Sequence, residues 1–139
     1  MSDEFDAGKH GAIVALPFSL ADCTTGMSAE DLLFFGATGD YAVAPKGGSV
    51  VGISANCEAI TAGTITLRAH KAGTEFADVG YPAPVSNSTN EETYATVRPG
   101  ALVFDAGDKL GLSLTTTTTL DPTNTIDIEA VLFIQLAPK

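Results

Sequence analysis

A chain of 139 residues, 45% hydrophobic and 17% charged, has enough apolar mass for one buried core and too little charge for a disordered composition. Its 17 acids against 7 bases give a formal net charge of −10, a field that repels phosphate backbones and anionic headgroups, so neither nucleic acid nor a membrane surface is expected as a partner. The start, Met1-Ser2-Asp3-Glu4-Phe5-Asp6, is acidic where an export signal needs positive charge, and the longest strongly apolar stretch, Ala130 to Leu136, is far shorter than the ~20 residues that span a bilayer.

In chain order, residues 1–11 read as an N-terminal arm and 12–139 as a single domain. Ile13, Val14, Ala15, Leu16 and Phe18 open it as a strand over about 12–18 that is apolar on both faces. Ser28 and Asp31 have capping-box spacing, which predicts at most one helical turn before Gly36. A short strand is expected at 32–36, around Leu32-Leu33-Phe34-Phe35. Over 48–57, Val51, Ile53, Ala55 and Cys57 alternate with polar residues, and over 64–70, Ile65, Leu67 and Ala69 do the same. With Thr61-Ala62-Gly63 between them, these two runs predict a hairpin with one wet face. The segment 72–92 reads as a long surface connection, followed by a strand at 93–98 around Tyr94 and Val97. A second hairpin is expected where Leu102 and Phe104 lead through Asp105-Ala106-Gly107-Asp108 into Leu110, Leu112 and Leu114. After another loop, 115–125, the last strand at 126–136 is again apolar on both faces. If Ile128, Ala130, Leu132, Ile134 and Leu136 line the core, Val131 and Phe133 point outward and need a cover. About eight antiparallel strands with Gly-, Pro- and Asn-rich turns predict an all-β, two-sheet sandwich, with a jelly roll ahead of other topologies.

Catalytic patterns fail residue by residue, so no enzyme is expected and no catalytic residue is assigned. Gly47-Gly48-Ser49-Val50-Val51 lacks the second glycine of a nucleophile elbow. Gly8-Lys9-His10 has Asp3 where a phosphate-binding loop needs glycine and His10 where it needs Ser or Thr. His10, His70, Cys23 and Cys57 match no zinc spacing, and His70, at a polar position of its strand, is expected to face solvent. Asp105 with Asp108, and Asp121 with Asn124 and Asp127, have no EF-hand spacing. No metal and no cofactor is therefore assigned. Two cysteines allow one bridge at most, and reduced thiols are expected.

Two stretches carry a resemblance. The first is Ala44-Pro45-Lys46-Gly47-Gly48-Ser49-Val50-Val51-Gly52-Ile53-Ser54, and the second runs from Arg98-Pro99-Gly100 through Phe104-Asp105-Ala106-Gly107-Asp108-Lys109-Leu110 to Leu112. Together they resemble small jelly-roll, tumour-necrosis-factor-like virion proteins of tailed bacteriophages, over about residues 41–137. The resemblance implies a capsid decoration or cement protein, made in the host cytoplasm and placed on the outer capsid surface. It implies a homotrimer whose other partner is the major capsid protein. In such sandwiches the first and last strands neighbour each other in the sheet that forms the trimer contact, so Val14, Leu16, Phe18, Val131 and Phe133 are expected to include the subunit interface. The alternative is the receptor- or glycan-binding head of a phage fibre or tail appendage, with Tyr81 and Tyr94 near the 72–92 loop as candidate contacts.

Overall fold

A computed structural model describes residues 11–36, 39–71, 74–75, 83–86, 92–96 and 100–138. They form β1 (Ile13–Cys23), β2 (Glu30–Asp31), β3 (Leu33–Phe34), β4 (Ala42–Val43), β5 (Gly48–Cys57), β6 (Thr64–Lys71), β7 (Thr74–Glu75), β8 (Ala83–Ser86), β9 (Glu92–Thr96), β10 (Leu102–Phe104), β11 (Lys109–Thr116) and β12 (Ile126–Leu136). All pairings are antiparallel, and the strands make two six-stranded sheets. The first has the order β10-β5-β12-β1-β3, with β9 also on β5. The second has the order β2-β11-β6-β7, with β4 also on β11 and β8 on β6. The sandwich expected from the alternation is therefore present, and five long strands, β1, β5, β6, β11 and β12, carry most of it.

From β1 to β6 the chain changes sheet at every step. Both expected hairpins are corrected by this winding. β5 pairs with β12 and β6 with β11, so the turn at 61–63 arches across the sandwich. β10 likewise pairs with β5 while β11 lies in the other sheet, so 105–108 is also an arch. The arch positions Ile53 and Ala55 of β5 across the core from Ile65, Leu67 and Ala69 of β6, where a hairpin would have set them side by side. Burying apolar faces against each other is the main stabilising term, about 1.5–3 kcal/mol for each fully buried Leu or Ile. Leu110, Leu112 and Leu114 of β11 and Ile128, Ala130, Leu132 and Ile134 of β12 join that core, with Phe18, Leu32, Leu102 and Phe104 among its other members.

Three local expectations also change. Ala29 has a positive φ of 49° and Glu30–Asp31 form β2 against Ser113 and Leu114, so the capping-box spacing at Ser28 starts no helix. The expected 72–92 connection contains two short strands, β7 and β8, and Tyr81 and Val97 lie outside the described residues. The arm predicted at 1–11 is described only at Gly11. In β5 a bulge opposite Phe133 and Ile134 puts Val50 into the core and leaves Val51 without a cross-strand partner on β12. A bulge shifts the alternation by one, which is why Val51 does not share the inward face of Ile53 and Ala55.

Candidate assembly surface

The outer face of the first sheet is set by the cross-strand register, because residues directly opposite in an antiparallel pair share a face. β12 turns Ile128, Ala130, Leu132 and Ile134 inward and Asp127, Glu129, Val131, Phe133 and Gln135 outward. On β1, Val14 lies opposite Ile134, Leu16 opposite Leu132 and Phe18 opposite Ala130, which places all three on the core side. Phe18 is 2% exposed, and Val14 and Leu16 pack against the core from its margin. The residues that share a face with Val131 and Phe133 are Pro17 and Ala15, with Ile13 opposite Gln135. The five expected interface residues therefore divide between two faces: Val14, Leu16 and Phe18 inward, Val131 and Phe133 outward. A strand that is apolar on both sides carries no phase in its sequence, and only its pairing with β12 supplies one.

Across β12 the same face continues through Ser54 and Gly52 of β5 to Tyr94 and Thr96 of β9, each directly opposite the last. Phe133, Ile13, Val51, Tyr94 and Thr96 rim a shallow concavity of about 300 Å³, and Gly52, with no side chain, helps to form its floor. Among the described residues, none that lines it is charged. The acids gather at the other end of the face. Glu129 follows Val131 outward along β12, and Asp127 accepts the amide of Asp22 while its own amide donates to Glu58 Oε1. Among the described residues the face is thus polarised into an acidic end and an apolar, uncharged end.

At the β3 edge of the same sheet an aromatic column runs from the core to the surface. Phe18 packs on Phe34 with ring centroids 5.3 Å apart and the planes tilted by 46°, and Phe34 meets Phe35 edge-on at 4.7 Å. Phe35 is 72% exposed and has a φ of 55°, in the left-handed region that costs a bulky side chain about 1–2 kcal/mol. Its amide donates to the Pro17 carbonyl at 2.9 Å, which fixes the turn beside the outer face. Sequence reasoning placed Phe35 in a strand and gave no sign of its exposure; the following Gly36, also at positive φ, is the local signal for a turn.

His10 lies outside the described residues, and His70, the acidic turns and the cysteines have structural explanations. His70 does not face solvent: it is 4% exposed, with Nε2 3.1 Å from Asp31 Oδ1. It fits because Gly111 lies directly opposite on β11. Burial pushes the Asp31 carboxyl above its ordinary range, against the pull of His70, and a hydrogen bond with the Asp40 side chain adds to the push. Asp105 and Asp108 close their own turn, the Asp105 amide donating to Asp108 Oδ2 at 2.7 Å around Gly107 at φ 88°. Asp121 accepts from Thr61 Oγ1 at 2.6 Å and tethers the arch at 61–63. Cys23 is a buried thiol and Cys57 a half-buried one, with no disulfide between them. Burial first, then the nearby Cys57, pushes the Cys23 thiol up to about 12.

No family model and no curated protein matches the chain. Among solved structures it is similar to a chain of the cyanophage Pam1 capsid asymmetric unit, with 15% identity and a TM-score of 0.47 over 92% of this chain and 87% of that one.

Proposed function

We propose that this chain is a bacteriophage capsid decoration protein, which binds the outer capsid lattice as a homotrimer and stabilises the shell. The observation that carries the reading is the apolar end of the outer sheet face, built from Ile13, Pro17, Val51, Tyr94, Val131 and Phe133 and without a charge among the described residues that line its concavity. In a chain of net charge −10, a contiguous surface without acids is where a second chain can be buried without ionic repulsion. The strand order supports the jelly-roll reading. β1 and β12 are neighbours in one sheet, β5 flanks β12, and β11 pairs with β6 in the other sheet. The two stretches at 44–54 and 98–112 supply the likeness to virion proteins. The major capsid protein is the second partner, and stabilisation follows by mass action, because a protein bound across capsomer joints favours the assembled shell.

Co-sedimentation with phage capsids that lack the protein tests the reading: saturable binding at lattice sites is expected, and no binding to any such capsid refutes it. Light scattering on the isolated protein tests the trimer. Phe133→Asp is expected to dissociate it, because a carboxylate buried against apolar neighbours has no partner. The exposed ring of Tyr94, and that of Tyr41 with Lys109 Nζ 5.0 Å from its centroid, also suit the glycan-binding head of a fibre. Binding to a glycan array without occupancy of the capsid lattice would select that second reading.

A further inference from the structure

Phe35 and the concavity at Phe133 lie at opposite sides of one sheet. We propose that they are the two halves of a knob-in-groove contact between copies of this chain, Phe35 of one copy entering the groove rimmed by Ile13, Val51, Tyr94 and Phe133 of the next. The proposal rests on the homo-oligomer reading above and specifies its geometry.

Four observations carry it. Phe35 is held in a left-handed conformation and is 72% exposed, a combination that burdens the isolated fold twice. The ring is nonetheless braced, through Phe34 and Phe18, against the core, so its position is set before any partner arrives. The groove has the matching chemistry and room: its lining among the described residues is uncharged, and its 300 Å³ exceeds the roughly 150 Å³ of an apolar cavity that accepts benzene. Finally, Phe35 cannot fill its own groove. β1 and β12 separate β3 from β5, and at 4.7–4.9 Å per strand the knob lies roughly 14 Å from the groove floor at Gly52. A knob and a groove on different parts of one surface make a heterologous contact, which repeats around a ring and closes when the rotation per copy divides the circle.

The test uses size-exclusion chromatography with light scattering on the full chain. Phe35→Asn keeps the backbone conformation, since Asn tolerates positive φ, and removes the knob. Phe133→Asp removes the groove, and Tyr94→Lys, at a site 80% exposed, does so with less risk to folding. Each single variant is expected to fall to the 14.2 kDa monomer with an unchanged circular dichroism spectrum. An equimolar mixture of Phe35→Asn with either groove variant is expected to form a one-to-one dimer, because the mixture retains one intact knob and one intact groove. A wild-type oligomer that keeps its mass in Phe35→Asn overturns the knob-in-groove contact and leaves the homo-oligomer reading standing. Monomeric single variants that fail to pair when mixed also overturn it, in favour of a symmetric contact. A monomeric wild type overturns the homo-oligomer reading and this contact together.

Discussion

Gly111→Ala is expected to destabilise the fold through His70. A β-carbon at this position would lie 2.5 Å from His70 Cε1, 2.7 Å from Nε2 and 2.9 Å from the Asp40 carbonyl oxygen. Non-bonded carbon atoms prefer about 3.5–4.0 Å, so the imidazole must retreat by roughly 1 Å. It has little room to do so, being 4% exposed and held with Nε2 3.1 Å from Asp31 Oδ1. Forcing one extra methyl into a packed site costs typically 1–3 kcal/mol. With a urea dependence of about 2 kcal/mol per molar, the unfolding midpoint should fall by roughly 0.5–1.5 M at unchanged slope. The assay is urea unfolding at fixed protomer concentration, because self-association would otherwise shift the midpoint. The decisive measurement is the double-mutant cycle. In a His70→Ala background the ring is gone, the Asp40 contact remains, and the cost of Gly111→Ala should shrink by about 1 kcal/mol or more. An equal cost in both backgrounds would refute the idea that Gly111 is there to seat the imidazole.

The pair at the other end of that ring gives a pH dependence. The folded state raises the Asp31 carboxyl above its ordinary 3.8, so it binds the proton more tightly than the unfolded chain does. Stability from this group is fully present below 3.8 and is lost as pH rises through the folded value. Thermal melts from about pH 3 to pH 6 should therefore show wild type losing ground to Asp31→Asn as pH rises, and a constant difference would contradict the assignment. Thiol labelling at pH 8 should modify Cys57 first, because the Cys23 thiol, raised to about 12 and buried, becomes reactive only on unfolding; labelling of native Cys57→Ser, whose one thiol is Cys23, as fast as that of Cys23→Ser would argue against a closed core at Cys23. Salt separates the two kinds of partner. Copies of a chain with net charge −10 repel one another through their acidic surfaces, so self-association at the uncharged groove should tighten with ionic strength, whereas binding of a basic partner should weaken. Light scattering across a salt series that shows dissociation at high salt would point to an ionic contact and away from the apolar face.

The features that were legible in the sequence are those a single strand carries by itself. Alternation identified the inward residues of β6 and β11, whose other faces are marked by residues such as Arg68 and Ser113, and in β12, whose outward face is apolar at Val131 and Phe133, Asp127, Glu129 and Gln135 still set the phase. The illegible features all depend on which strand lies alongside. A strand with one apolar face satisfies its pattern equally well in a hairpin, beside its successor, or in an arch, opposite it. The glycine turns at 63 and 107 suit both, and only the sheet order decides. β1 has no polar face to fix its phase, so the choice between Val14, Leu16 and Phe18 or Ile13, Ala15 and Pro17 as the outward set required the register with β12. His70 is the same case in a single residue: its polar position on β6 looks wet until Gly111, from a strand distant in sequence, is set opposite it. The candidate surface inherits this dependence. Val131 and Phe133 could be assigned outward from β12 alone, but the groove beside them exists because a bulge turns Val51 out of the core, Gly52 leaves a gap, and β9 brings Tyr94 alongside. A candidate surface assembled from four strands of a sheet is a property of pairing, and it becomes readable only after the strands are ordered.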